Sequence, residues 1–592
     1  MGVDGLSKYA KDHRLYQEVD IQAVANDFRS SNVGQPVIAV DGSQCAWYLY
    51  ANMDSLHGGQ YKEFRESCEQ FVERFHGMGI KLSFFFDGLP VEEKILTWVK
   101  RRVDKAKEIS KIFAKLRAMQ SRENGSVGCR FLPEAVVPLA TVTFKHLGTS
   151  KHLDCEVRLS TNDCDTELAK FAASDRCCIG VLSNDSDFLI YPNVPCLFTF
   201  SNLRLEQRVT GRRFRSTDLA RHLRIEVDDL PVLASFMGND IVRREALQEA
   251  HRKLRQTYRH RQVAELVAEL LRRQPRGDLR RMCELAFGGN WRKGLELVEK
   301  SVDSYKYEEI EPATTRNVSR WDEVLQKIEA KHVSCEIPGY VYTVMKCRLM
   351  RAGDVLEDLS VSCSTSPPTG LVVREMLQRM YTVLLWESGS GPFRVTEYIP
   401  TGLGEVHHET VEVQKRLPEG IHHPGLVELW SGPEDTRWRI FSWVISPTKD
   451  LSALCSLSPQ YLVVPAAALC FLYHEAKVLT RDEVKTFVTV ALSVKSYSAH
   501  DLSRLDVRIP TERGIYLATL FVRTVLHVLD VAGACGLSFP RPADCHLDAY
   551  FDGRLFHHIY RKSQNASDPR DVIAWNSSST QAFNYIMREI ID

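Results

Sequence analysis

Asp185 and Asp187 stand two residues apart in VLSNDSDFLIY (181–191), among leucine, phenylalanine, isoleucine and tyrosine. Side chains at i and i+2 of an extended segment share a face. Their carboxylates are therefore expected side by side, repelling each other in a low dielectric, with a cation nearby, a divalent metal ion above all. Asp41 ends PVIAVDG (36–42) and Asp87 ends KLSFFFDG (81–88) in the same manner. TNDCDTELAKFAA (161–173) adds Asp163 and Asp165 ahead of a helical apolar face made by Leu168, Ala169, Phe171 and Ala172. Helix capping accounts for one acid there, through free backbone N–H groups. It does not account for both.

These acids need elements to gather them. PVIAVDG, KLSFFFDG, CCIGVLSND (177–185) and CLFTF (196–200) are runs apolar on both faces, alternating with helical patterns. That predicts an α/β fold, a parallel sheet flanked by helices. Sites in open sheets of this kind lie beyond the carboxyl ends of the strands, so the acids are expected at one edge. VEEKILTWVKRRVDKAKEISKIFAKLRAM (91–119) predicts a long amphipathic helix with Ile95, Val99, Val103, Ala106, Ile109, Ile112, Phe113, Leu116 and Met119 on its stripe. Its basic side, Lys94, Lys100, Arg101, Arg102 and Lys105, continuing to Arg117 and Arg122, suits a phosphate backbone. A second basic run spans 243–293. The plain alternative for both is a solvated helix face.

At 592 residues and 44% hydrophobic content the chain exceeds one ordinary core. The expected division is a 1–300 α/β domain, a 301–330 linker that opens with SVDSYKYEEIEPATTRNVSR, and a mixed, mainly helical α+β interaction domain over 331–592, with strand-like runs at YVYTVMKCRLM and WRIFSWVIS. Lys+Arg and Asp+Glu are both 76, so any nucleic-acid footprint must be local. No stretch reads as a membrane span and the N-terminus lacks a signal-peptide core. The sixteen cysteines have no CxxC spacing, which predicts reduced, mostly buried thiols. The HH pairs at 407, 422 and 557 read as surface histidines. A location in the cytosol or the nucleus is expected.

Taken in order, MGVDGL, IAVDGS, FFFDGLP, DCD, SNDSD and MGND resemble the flap endonuclease and xeroderma group G nuclease superfamily, a PIN-like fold. The resemblance implies a phosphodiesterase using Mg²⁺ or Mn²⁺, with Asp41, Asp87, Asp163 and Asp165 on a first ion, Asp165, Asp185 and Asp187 on a second, and Lys94 and Arg101 as gateway cations beside the reacting phosphate. A closer likeness is to the constitutive coactivator family of peroxisome proliferator-activated receptor gamma, carried by GGQYKEF, GIKLSFFFDG, WVKRR, EISKIF, DSDFLIY, GNDI and YFDGRLFHHIY. That family implies a nuclear coactivator partnered by a nuclear receptor or other transcription factor, or an RNA-associated scaffold. Two departures separate the chain from the nucleases. Arg243 stands where they place a further aspartate, which favours one ion over two, and VRREALQEAHRKL lacks their glycine-rich duplex-holding turn. No LxxLL receptor-docking helix is present; VAELL (267–271) and YTVLL (381–385) read as core segments. Coactivator, structure-specific nuclease and RNA-binding scaffold all stand as readings at this point.

Overall fold

The computed structural model describes residues 2–90, 94–120, 131–257, 262–273, 278–307, 320–353, 355–360, 366–387, 393–414, 416–505, 507, 509–537, 546–564 and 577–591. Of the basic residues expected to form footprints, Arg122, Arg259 and Arg276 lie outside that set, as does 308–319 of the expected linker. The chain forms two compact units, and they are not contiguous in sequence. The first comprises Met1–Tyr48, Val72–Thr97 and His152–Thr314; the second comprises Leu49–Phe71, Trp98–Lys151 and Thr315–Asp592. This differs from a 1–300 and 331–592 division, because residues 49–71 and 98–151 have their packing partners in the second unit.

The first unit is built on an eight-stranded sheet of β1 (Gln17–Asp20), β2 (Val37–Asp41), β3 (Lys81–Phe86), β4 (Cys155–Leu159), β5 (Cys178–Leu182), β6 (Leu197–Phe198), β7 (Arg204–Leu205) and β8 (Val209–Phe214). The order is β1-β8-β6-β5-β2-β3-β4, with β7 against β8. Pairs β6–β5, β5–β2, β2–β3 and β3–β4 are parallel, whereas β8 runs antiparallel to its neighbours. The four apolar runs became the central strands because helices cover both faces, so alternation is not needed. Ile38, Ala39, Val40, Leu82, Phe84, Phe86, Val181 and Leu182 are all buried. Parallel β4, β3, β2 and β5 therefore release the chain at one edge. This is the α/β architecture expected, a parallel sheet flanked by helices.

In the second unit β9 (Leu349–Arg351) pairs parallel with β10 (Phe393–Pro400), and β10 pairs antiparallel with β11 (Val406–Val413). The rest is helical, around the helix Glu512–Ala534. Of the runs expected as strands, YVYTVMKCRLM is helical over Gly339–Cys347 and only its last residues, Leu349 and Met350, enter β9, while WRIFSWVIS lies in the helix Glu434–Ile445. Their β-branched and aromatic residues are buried on several sides, and Pro338 and Pro433 stand at the N-caps. VAELL and YTVLL lie on the helices Val263–Arg273 and Arg374–Leu384 plus its next residue, both packed in core. Helix Glu512–Ala534 corrects the reading of membrane spans. It is long and apolar enough to cross a bilayer, but 89% of its most apolar window is buried, and it carries Arg523 and Asp530 inside the protein.

GGQYKEF and YFDGRLFHHIY meet inside this second unit. Gly553 N–H donates to the Gly59 carbonyl at 2.8 Å, and a Cβ on Gly553 would stand 1.9 Å from the His57 carbonyl oxygen. His57 packs edge-on against His557. His557 and His423 are buried rather than surface residues, because each sits on the apolar side of a packed segment. The described cysteines are free thiols, most of them buried.

Candidate functional site

Six acids were expected at the carboxyl edge, and the strands deliver them there. Asp41 is the last residue of β2 and Asp87 follows β3 directly. Asp163 follows β4 and caps the helix Cys164–Ser174, accepting from Thr166 N–H (3.3 Å) and Thr166 Oγ1 (3.0 Å), with Asp165 in the first turn. Glu167, in the same turn, accepts from Thr161 and Asn162 N–H and so fixes the loop that leads in. Asp185 differs from expectation. The chain turns after β5 instead of staying extended, and Asp185 caps a short 3₁₀ turn, Ser186–Leu189, accepting from Asp187 N–H at 3.0 Å. The two carboxylates are thus offset by a turn, not aligned along a strand.

Burial and mutual repulsion mark the cluster. Burial pushes the Asp41 carboxyl up to about 7, reinforced by the charges of Asp87 and Asp185 and opposed by bonds from Gln44 N–H (2.9 Å) and Ser183 Oγ (2.8 Å). Burial, then Asp185 and Asp163, holds Asp165 well above the usual carboxylate range; burial, then Asp185, does the same to Asp187. Asp185, also buried, is raised despite its bond from Asp187 N–H. Asp87 accepts from Ser43 Oγ at 3.1 Å. Lys94 is the cation within the cluster. Burial opposes its charge, yet Asp163, to which it is bonded, together with Asp165 and Asp240 raises its pKa.

Three contributors were not among the expected site residues. Asp240, in the MGND stretch, acts electrostatically on Lys94, Asp185 and Asp187. Gly2 (φ 89°) lies so close that a Cβ there would be 2.1 Å from Asp185 Oδ1. Tyr305 donates from its hydroxyl to Asp187 Oδ1 at 3.0 Å. The MGVDGL and MGND motifs held a signal for the first two. Nothing marks Tyr305, because SYKY reads as linker; the helix Trp291–Asp303 in fact runs straight to it.

Among the described residues, no three aspartate, glutamate, histidine or cysteine side chains are placed to share one metal ion. The donor set has the chemistry of a Mg²⁺ or Mn²⁺ site, but Lys94, Tyr305, Ser183 and Ser43 already engage Asp163, Asp187, Asp41 and Asp87. As arranged, these residues do not fit the ion.

Of the basic residues, Lys100, Arg101, Arg102 and Lys105 belong to the second unit. Lys100 and Arg101 are exposed, Arg102 lies over Trp98 (5.1 Å), and Lys105 pairs with Glu108 (3.0 Å) and faces Phe131. Arg117 is bonded to Asp358 and Glu512. Arg243 is exposed at the entry to the helix Arg244–Thr257. Beyond it, Arg252, Arg272, Arg273 and Arg280 pair with glutamates three or four residues away. Those four are solvated helix faces, the plain reading of that run.

Residues 223–309 match the family profile described as FAM120A: FAM120A-like domain. The constitutive coactivator of peroxisome proliferator-activated receptor gamma from Bos taurus is 26% identical over 99% of this chain and 94% of its own length. The chain resembles that coactivator from end to end. A further relative, the single-strand DNA endonuclease ASTE1 of Danio rerio, is 26% identical over 42% of this chain and 34% of its own. Among solved structures, the catalytic core of Rad2 in complex with DNA substrate aligns over 59% of this chain and 100% of that one at 12% identity, with a TM-score of 0.31.

Proposed function

We propose that this chain is a nuclear, coactivator-like regulatory protein built on a nuclease fold, which contacts its partners without cutting nucleic acid. The observation that carries the reading is that the acids at the sheet edge are already engaged by protein groups, Lys94 on Asp163 and Tyr305 on Asp187, and that among the described residues no three acid, histidine or cysteine side chains are placed to share one ion. The end-to-end likeness to a coactivator supports it. Arg243 supports it further, as a cation where the nuclease pattern has an acid. Nucleic acid would be met by the basic helix face at Lys100 and Arg101 through phosphate charge. The receptor in the bovine relative's name, peroxisome proliferator-activated receptor gamma, is the first protein partner to test, with the two purified proteins.

The second reading, a metal-dependent endonuclease, is favoured by the ASTE1 likeness and by the number of acids present. One experiment separates the two. Labelled flapped, overhanging and single-stranded DNA and RNA are incubated with the full chain in millimolar Mg²⁺ or Mn²⁺ and in chelator. The expected result is no cleavage above the chelated control, with salt-sensitive binding that survives chelation. Metal-dependent cleavage by the wild type, lost in Asp187→Asn, would replace this reading with the nuclease.

A further inference from the structure

The segment after the helix Trp291–Asp303 does more than connect. Tyr305 is 3% exposed, and its hydroxyl donates to Asp187 Oδ1 (3.0 Å) while accepting from Asn239 Nδ2 (3.2 Å). Asn239 is itself fixed. Its side-chain oxygen accepts from the N–H groups of Ile241 (3.1 Å) and Val242 (2.8 Å), and its nitrogen also reaches Ser301 Oγ (2.8 Å). Ser301 Oγ in turn accepts from Ser235 Oγ at 2.8 Å. The Tyr305 ring packs edge-on against Tyr191, 5.2 Å between centroids. Tyr307 stacks on the same ring and donates to the Pro192 carbonyl at 2.6 Å. Tyr191 comes from VLSNDSDFLIY and is anchored to Thr166 Oγ1 (3.0 Å), in the helix that Asp163 caps. The strap is thus tied at both ends to the elements that carry the acids.

A tyrosine hydroxyl bonded to a buried carboxylate can take over a role that a divalent cation would otherwise fill. It donates a hydrogen bond to the oxygen a cation would coordinate, and it excludes the water such an ion would keep. The carboxylates Asp185 and Asp240 and the ammonium of Lys94 also act on Asp187, while the Tyr305 hydroxyl donates directly to its carboxylate. The profile match over 223–309 contains Asn239, Ser301, Tyr305 and Tyr307 and none of the six acids.

We infer that Tyr305 is the residue that decides whether the acidic pocket admits a divalent cation: its hydroxyl occupies Asp187, and the Ser304–Tyr307 strap holds it there. The inference rests on the non-catalytic reading of the same pocket. Without that hydroxyl Asp187 is free to turn toward Asp185 and Asp165, hard oxygen donors of the kind Mn²⁺ or Mg²⁺ takes, which as now arranged do not share one ion.

The test titrates Mn²⁺ into the full-length wild type, Tyr305→Phe, and Tyr305→Phe with Asp187→Asn, reading bound ion by the loss of the free Mn²⁺ electron-spin signal and by the melting temperature. Phe keeps the ring contact with Tyr191 and removes only the hydroxyl. Tyr305→Phe is expected to bind Mn²⁺ about tenfold tighter or more than the wild type, the worth of one hydrogen bond to a charged acceptor, and the added Asp187→Asn should abolish the gain. Equal affinity in wild type and Tyr305→Phe would overturn the inference and leave the non-catalytic reading standing. Should Tyr305→Phe fail to fold, Asp187→Asn alone decides. With Asp187 occupied in the wild type, that variant should leave the Mn²⁺ response unchanged, and a response present in the wild type but lost in Asp187→Asn would show the carboxylate open and the inference wrong.

Discussion

Arg523→Ala is expected to lower the stability of the second unit by about 3–5 kcal/mol, the cost of breaking a buried ion pair from one side. The Arg523 side chain is 1% exposed on the helix Glu512–Ala534, and its guanidinium grips Glu134 with two nitrogens, at 3.0 and 3.1 Å. It also donates to the Gly353 carbonyl (2.6 Å) and to Thr369 Oγ1 (2.9 Å), while Thr369 N–H donates to Glu357 Oε2 (2.8 Å). One arginine therefore ties segments around residues 134, 353, 357 and 369 to the central helix. Truncation leaves Glu134 without its bidentate partner and Glu357, already raised by burial, without its nearest compensating cation. A fall of roughly 10 °C in Tm should accompany the loss. Arg523→Lys keeps the charge and loses the fork, so it should fall between. Arg523→Met with Glu134→Leu should recover most of the stability, because apolar replacement of both partners removes the stranded charge. A loss under about 1 kcal/mol for the alanine variant would show that the network does not hold these segments.

The parallel core was readable because strands covered on both faces must be apolar throughout, and IAVD, FFFD and VLSND carry that pattern ahead of their acids. The site edge followed from it. The sequence could not show where the chain bends after β5, since Asp185 is equally suited to an extended end and to capping a 3₁₀ turn. Nor could it show the interleaving of the two units. The helix Ile95–Gln120 reads as one amphipathic element, yet its stripe residues Ile109, Phe113 and Leu116 pack with Leu56, Phe131, Leu356 and Ile515 of the second unit, the last two of them hundreds of residues away, partners that no local pattern can name. GGQYKEF and YFDGRLFHHIY, far apart in the sequence, are likewise two sides of one contact. In the second half, β-branched and aromatic runs misled because burial on all sides suits a core helix as well as a strand. Tyr305 was hidden for a further reason. Its role depends on one hydroxyl reaching Asp187 across 118 residues of chain.

The pocket's excess of carboxylates predicts an unusual dependence of stability on pH. Asp41 titrates at about 7 in the folded chain, chiefly through burial, against an ordinary value of 3.8. Between those values the folded protein keeps a proton that the unfolded chain releases, so this group's contribution is complete below pH 4 and is lost as pH rises through 7. At 1.36 kcal/mol per unit the loss amounts to up to about 4 kcal/mol for this side chain. Asp41→Asn removes the titration while its carbonyl still accepts from Gln44 N–H and its amide can donate to Ser183 Oγ. The variant is therefore expected to match the wild type in urea unfolding at pH 4 and to exceed it by a few kcal/mol at pH 7.5. Equal stability of the two proteins at pH 7.5 would mean that Asp41 ionises without strain in the folded state. Repeating the series in millimolar Mg²⁺ turns the same slope into a reporter on the pocket. An ion entering beside Asp41 would favour the ionised carboxylate and flatten the wild-type profile, leaving that of Asp41→Asn where it was. With Lys94 and Tyr305 already holding neighbouring acids, the expected wild-type slope is the same with and without the ion. A flattened slope would show that the pocket admits metal with Tyr305 in place, and would remove the physical ground for reading the pocket as non-catalytic.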